Sequence, residues 1–128
     1  MTKFKDLGLN EKVLRGVTDQ GFEEAFKIQE AVIPVLLSGR DVVGQAHTGS
    51  GKTAAFALSM LQEIRPGKGI QGLIMSPTRE LAMQISTEMR KMGKYTGIKI
   101  ATVYGGQGMG IQLDALQRGV EIIVATMD

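Results

Sequence analysis

Apolar residues recur at helical spacing in two segments near the start of the chain. The first segment predicts a helix over Asn10–Gln20, and the second predicts a helix over Lys27–Ser38. The apolar positions on the two helical faces are Val13, Leu14 and Val17, then Ile28, Ala31, Val32, Val35 and Leu36. Pro34 is expected to kink or shorten the second helix, and Gly39 is expected to end it.

The remaining sequence alternates between strand patterns and helix patterns. The predicted strands are Asp41–Gln45, Gln71–Met75, Ile98–Tyr104 and Val120–Ala125. The predicted helices run from Lys52 to about Ile64, over Arg79–Gly93 and over Ile111–Arg118. This alternation predicts an α/β fold with a parallel sheet and flanking helices. Ligands bind such sheets beyond the carboxyl ends of the strands, and the glycine clusters at 49–51 and 105–110 follow predicted strands there.

Composition narrows the class of protein only modestly. A chain of 128 residues with 43% hydrophobic and 22% charged residues is typical of one globular domain. It has no cysteine, and His47 is its one histidine, so neither a disulfide framework nor a thiolate or histidine metal cluster is expected. The apolar runs are too short to cross a bilayer, and the amino terminus lacks an apolar leader. We therefore expect a cytoplasmic location and no membrane partner. The net charge of +2 favours an anionic partner only weakly, since an ordinary mixed surface explains it as well.

A glycine-rich loop between a predicted strand and a predicted helix carries the most specific signal. Its residues are Ala46, His47, Thr48, Gly49, Ser50, Gly51, Lys52 and Thr53. In this context the pattern predicts a P-loop, whose backbone N–H groups surround the phosphates of a nucleotide. Lys52 is expected to reach the outer phosphates, and the Thr53 hydroxyl to hold Mg²⁺. Ala46 departs from the common Gly, and the loop alone leaves kinase, GTPase and helicase open.

Further segments resemble the DEAD-box ATP-dependent RNA helicases of superfamily 2. Residues 4–29 resemble the Q motif, with Phe4 as its isolated aromatic, and Ala46–Thr53 is similar to the family's P-loop, which also begins with Ala. Residues 77–82 match motif Ia, Gly105-Gly106 resembles the GG motif, and residues 125–126 resemble the start of motif Ib. The resemblance implies that residues 1–128 are the N-terminal part of a first RecA-like, P-loop NTPase domain.

The resemblance implies a nucleotide site for ATP or ADP with Mg²⁺. Its residues would be Phe4, Lys27, Gln29, Ala46, His47, Thr48, Gly49, Ser50, Gly51, Lys52 and Thr53. Lys52 and Thr53 would be the catalytic residues, and Thr53 would also bind the Mg²⁺ ion that accompanies ATP. Gln29 would read adenine, since a side-chain amide can both donate to and accept from the base edge; a solvent-facing glutamine is the alternative. Phe4 would cover the adenine face, and a core aromatic is the alternative. Phe22 is expected to be core support for the wall of the pocket and not a ligand contact.

The resemblance also implies contacts with the RNA backbone. The residues concerned are Pro77, Thr78, Arg79, Gly105, Gly106 and Thr126. Backbone contacts carry little sequence information, so binding is expected to be indifferent to RNA sequence. An alternative for Thr78 and Arg79 is a purely structural role at a helix start, with Thr78 capping. The methionines are expected to fill the core.

The sequence departs from the family pattern at several points. Ala25-Phe26 replaces the usual Pro-Thr, so the helix carrying Gln29 is expected to lack its usual cap. Met127-Asp128 stands where motif Ib normally continues, and nothing corresponds to the Asp-Glu-Ala-Asp or Ser-Ala-Thr motifs or to a second RecA-like domain. Asp128 is not expected to replace the missing magnesium-binding acid. The chain is therefore expected to be a fragment without ATPase or unwinding activity.

Two strands missing from this chain would lie, in the family, between the P-loop strand and the motif Ia strand. We therefore expect Asp41–Gln45 either to pair directly with Gln71–Met75 or to leave open edges through which the fragment self-associates. Three functions stay open: a helicase fragment, another P-loop enzyme such as a small kinase or GTPase, and a non-catalytic binding module. Gln29 and the 77–82 motif favour the first.

Overall fold

A computed structural model describes residues 2–47, 49, 51–105 and 108–126 of the chain. A short 3-10 turn, Phe4–Asp6, precedes five helices and three strands in the described part. The helices are α1 (Glu11–Asp19), α2 (Lys27–Leu37), α3 (Lys52–Glu63), α4 (Arg79–Met92) and α5 (Met109–Gln117). The strands are β1 (Gly72–Ser76), β2 (Ile100–Val103) and β3 (Ile122–Thr126). None of the described helices has the length and apolar character needed to cross a membrane.

Side-chain caps explain where two of the described helices, α1 and α4, begin. Asn10 accepts a hydrogen bond from the Val13 N–H at 3.0 Å and begins α1. Thr78 accepts one from the Leu81 N–H at 3.2 Å and begins α4, which confirms the predicted cap. Phe26 precedes α2 and has no acceptor to offer the first turn.

Two further expectations concern α2. The prediction that α2 lacks its usual side-chain cap is confirmed, because the Phe26 side chain accepts no hydrogen bond. The Phe26 N–H group is nevertheless satisfied, since it donates to the Gln29 side chain at 2.9 Å. Pro34 does not shorten the helix, which continues to Leu37 before Ser38 caps it. Gly39 follows with a φ of 88°, as a helix terminator should.

The three strands form one parallel sheet in the order β1-β3-β2. The register pairs Gly72 with Ile122 on one side of β3 and Ile100 with Ile122 on the other. Ser76 lies opposite Thr126 at the end of the first ladder. The carboxyl ends of all three strands therefore meet at one edge, and we call this edge the carboxyl edge.

The core lies between the sheet and the helices on one face of it. Helix α4 packs against all three strands, and α3 and α1 pack against α4. Met89 and Met92 of α4 are buried, as expected of core methionines, whereas Met75 and Met83 are exposed. Helix α1 approaches α4 so closely that a Cβ on Gly16 would overlap the Met92 carbonyl.

The prediction of a strand at Asp41–Gln45 is wrong for this structure. These residues form no strand, and Val43 is fully exposed. Strand β1 pairs with β3 alone among the described strands, so the expected direct pairing with Gln71–Met75 is also wrong. A strand exists only by hydrogen bonding to a neighbour, and no described strand lies beside this segment. Self-association through the open edge of β1 stays a prediction.

Candidate nucleotide site and carboxyl edge

A cleft of about 970 Å³ lies beside the start of α3. Part of its lining comes from the amino-terminal segment and the loop before α3, and the rest comes from α3, β1 and α4. Its volume falls within the usual range for ligand sites of about 300–1,000 Å³. The predicted residues Phe4, Gln29, Gly49, Gly51, Lys52 and Thr53 all line it. The structure thus brings together residues that are up to 49 positions apart in the sequence, from Phe4 to Thr53.

Gln29 connects α2 to the glycine loop. Its side chain is only 4% exposed, and its Nε2 donates to the Gly51 carbonyl at 3.2 Å. Its Oε1 accepts from the Phe26 N–H, as described above. An amide group has two N–H donors and two oxygen lone pairs, so each end retains capacity for one more partner. The alternative of a solvent-facing glutamine is wrong, while the adenine contact stays a prediction.

Gly51 is required by its backbone conformation and by its surroundings. Its φ is 86°, in the left-handed region, and a Cβ at this position would overlap Gln29 Nε2 and the Phe26 ring. Only a residue without a side chain allows the loop to lie this close to α2. Gly49 has the same φ of 86°.

The side chain of Lys52 is hydrogen-bonded to the backbone at the start of the same loop. Lys52 is exposed, and its Nζ donates to the Ala46 carbonyl at 2.7 Å. His47 and Lys27 are exposed, and Thr53 is half-buried at the cleft. The predicted site residues Thr48 and Ser50 lie outside the described residues. In the described part of the chain, no group of three or more His, Asp or Glu side chains could hold a metal ion.

The aromatic residues near the cleft differ from the sequence expectation. Phe4 is 3% exposed and belongs to the core, in agreement with the alternative of a core aromatic. Phe22 lines the wall of the cleft as expected, but it is 48% exposed, so the expectation that it is a core residue is wrong. It follows Gly21 in the turn after α1, and its ring contacts Phe4 at a centroid distance of 6.5 Å.

Sequence reasoning missed Phe26, which is 56% exposed and lines the cleft. Its position just before α2 was a usable signal, because a residue at a helix cap usually remains near the surface. Phe22 and Phe26 are therefore the exposed aromatic rings on the described wall of the cleft.

The carboxyl edge collects the residues predicted to contact nucleic acid. Pro77, Thr78 and Arg79 follow β1 and are exposed, and Gly105 follows β2. The Arg79 guanidinium carbon lies 5.3 Å from the centroid of the Tyr104 ring. Gly106 lies outside the described residues. The start of α4 is thus in contact with the loop after β2, although the sequence separates Arg79 from Tyr104 by 25 positions.

Thr126 ends β3 at the same edge. Its Oγ1 is buried and has no hydrogen-bond partner among the described residues. An unpaired buried hydroxyl is costly, by about 1–3 kcal/mol. The Thr126 hydroxyl is shielded from solvent in this structure, and the RNA contact at Thr126 stays a prediction.

A cluster of polar side chains joins α1 to the segment that follows α4, and none of its members lines the cleft. Lys94 pairs with Asp19 at 2.9 Å, the Tyr95 hydroxyl donates to Asp19, and the Arg15 guanidinium carbon lies 4.4 Å from the Tyr95 ring centroid. The hydrogen bond from Tyr95, followed by that from Lys94, lowers the pKa of the Asp19 carboxyl. The same bond to Asp19 raises the pKa of Lys94.

The parallel sheet, the helices packed on it and the loop before α3 define a RecA-like α/β domain, and solved structures support that class. The chain superimposes on a DEAD box protein from Methanococcus jannaschii with a TM-score of 0.93 at 38% identity, covering 98% of this chain and 35% of that one. A hypothetical ATP-dependent RNA helicase from Sulfolobus tokodaii gives a TM-score of 0.82 at 39% identity, covering 92% and 34% of the two chains.

Sequence comparison leads to the family. The DEAD/DEAH box helicase family matches residues 26–128. The chain is 46% identical over 127 residues to the DEAD-box ATP-dependent RNA helicase CshA of Bacillus cereus, covering 98% of this chain and 24% of the relative. It is 48% identical over 123 residues to RhpA of Helicobacter pylori, covering 96% and 25%. The chain belongs to the DEAD/DEAH box helicase family, and it spans about a quarter of the length of these curated relatives.

Proposed function

We propose that this chain binds ATP or ADP at the cleft and the sugar–phosphate backbone of single-stranded RNA at the carboxyl edge. The observation that carries the nucleotide proposal is the hydrogen bond from Gln29 to Gly51. This bond fixes the Gln29 side-chain amide next to the glycine loop that would hold the phosphates. From that position the amide can recognise the edge of a purine base. The names of the relatives, which are ATP-dependent RNA helicases, support the choice of ATP and RNA.

Each part of the proposed nucleotide site has a physical role. The N–H groups at the start of α3 and in the glycine loop would bind the phosphates, with the helix amino terminus adding partial positive charge. Lys52 would exchange the neutral Ala46 carbonyl for a phosphate oxygen, because a charge-assisted hydrogen bond is the stronger one. Magnesium bound to phosphates needs only one or two protein ligands, and Thr53 would supply one of them. The exposed rings of Phe22 and Phe26 offer the base an apolar surface.

Calorimetric titration of the full 128-residue chain with ATP, ADP and GTP tests the nucleotide proposal. Lys52→Ala should weaken binding of ATP and ADP by about 10- to 150-fold, which corresponds to about 1.5–3 kcal/mol for one charge-assisted hydrogen bond. Lys68→Ala is the matched control, since Lys68 is an exposed lysine in the turn before β1 and should leave affinity unchanged. Equal affinity for GTP would favour a different P-loop enzyme. Absence of binding would favour a module that does not use nucleotides.

RNA binding is proposed to be weak and governed by phosphate contacts. Fluorescence anisotropy with several single-stranded oligonucleotides at two salt concentrations should show similar affinities that fall together as salt rises. Strong preference for one sequence would contradict the assignment, because backbone contacts do not read bases. The cytoplasmic location stays a prediction.

A further inference from the structure

The contact between Arg79 and Tyr104 joins the start of α4 to the loop after β2 at the carboxyl edge. Arg79 is the exposed first residue of α4, and Tyr104 follows the last residue of β2. Their separation of 5.3 Å, from the guanidinium carbon to the ring centroid, is within the range of a cation–π interaction. In the described part of the chain, no carboxylate forms a salt bridge with Arg79.

A ring and a phosphate use different parts of a guanidinium group. The aromatic ring attracts the flat face of the cation, whereas the N–H donors point outwards in its plane. An arginine held over a ring can therefore still bind a phosphate with two parallel hydrogen bonds. Arg90, on the same helix, shows the contrasting case, because it donates to the Ile100 carbonyl at 2.9 Å.

The backbone of Tyr104 is held in place. Strand β2 pairs with β3 up to Val103, and the Tyr104 carbonyl accepts a hydrogen bond from Gln112 Nε2 of α5 at 3.0 Å. The ring is half-buried on this anchored backbone, while the arginine side chain is long and exposed. Holding such a side chain before binding reduces the rotamer entropy lost when it meets its ligand.

We propose that Tyr104 is a positioning residue for nucleic-acid binding: its ring holds the Arg79 guanidinium so that the N–H edge is presented to an RNA phosphate. This inference rests on the RNA-binding function proposed above and adds a residue to it. Tyr104 acts through Arg79 and makes no required contact with RNA of its own.

The test measures binding of the full chain to a fluorescein-labelled decauridylate by anisotropy, at several salt concentrations. Tyr104→Leu should weaken binding about two- to fivefold, the effect expected for an exposed cation–π contact. Tyr104→Phe keeps the ring and should bind like the parent chain. Arg79→Ala should weaken binding further and reduce the slope of log affinity against log salt by about 0.7, the value for one phosphate on a single strand. Tyr104→Leu should leave that slope unchanged.

A double variant separates positioning from direct contact. In the Arg79→Ala background, Tyr104→Leu should have no further effect, because there is no guanidinium left to position. A further loss in that background would mean that the ring contacts RNA itself, and would overturn the inference. The inference alone also fails if Tyr104→Leu binds like the parent while Arg79→Ala does not. If Arg79→Ala leaves binding unchanged, both this inference and the proposed RNA contact at Arg79 fail.

Control variants exclude a general effect on folding. Tyr95→Leu removes the ring that lies under Arg15 elsewhere in the fold, and it should leave RNA affinity unchanged. Circular dichroism and thermal unfolding of each variant establish that it is folded. A loss of affinity in Tyr104→Phe would show that the hydroxyl, not the ring face, is needed, and would refute the proposed role.

Discussion

Substitution of Gly51 by alanine tests the close approach between the glycine loop and α2. An alanine in the left-handed conformation costs about 1–2 kcal/mol. Gly39→Ala carries the same cost, since Gly39 has a φ of 88° and a Cβ there would meet nothing within 4 Å. At Gly51 the new methyl group would also overlap Gln29 Nε2 and the Phe26 ring. Displacing Gln29 breaks its bond to the Gly51 carbonyl, which adds about 0.5–1.5 kcal/mol.

We therefore expect Gly51→Ala to unfold at a lower temperature than Gly39→Ala, by about 2–6 °C, because 1 kcal/mol corresponds to about 4 °C in a domain of this size. Calorimetry should show ATP affinity reduced at least about tenfold in Gly51→Ala and unchanged in Gly39→Ala. Thermal unfolding and nucleotide titration of the two variants provide the comparison. Equal unfolding temperatures together with equal ATP affinities would refute the argument that the Gly51–Gln29 contact organises the site.

The lowered pKa of Asp19 means that its pairing stabilises the fold above the ordinary pKa of a carboxyl group and that this stabilisation is lost as pH falls through the lower folded value. Tyr95→Phe should raise the pKa of Asp19 in an NMR titration, and no change would contradict the assigned cause. The open edge of β1 should allow self-association, so sedimentation velocity should show an oligomer that grows with concentration. Leu73→Lys in β1 should weaken the oligomer, whereas the control Met83→Lys on α4 should not. A monomer at all concentrations would contradict this prediction. The 128 residues by themselves should not hydrolyse ATP steadily, because they contain no Asp-Glu-Ala-Asp motif that could hold the metal. RNA-stimulated phosphate release by this 128-residue chain would prove the prediction wrong.

The sequence determined those features that depend on neighbours along the chain. Helix α4 begins at Arg79 as predicted, because the Thr78 cap lies three residues from the N–H group it satisfies. The parallel α/β class follows from the alternation of local patterns, and the chain's place among DEAD-box helicases follows from short contiguous motifs. Both were confirmed by comparison with known proteins.

Other features were decided only by tertiary structure, because they depend on residues distant in the sequence. Asp41–Gln45 has the composition of a strand but forms none, since a strand requires a neighbouring ladder that the described chain does not supply. Phe4 and Phe22 are the same residue type, yet one is buried and the other half-exposed, because burial depends on what packs against each ring. The pairing of Arg79 with Tyr104 likewise arises only because the parallel sheet brings the ends of β1 and β2 to one edge.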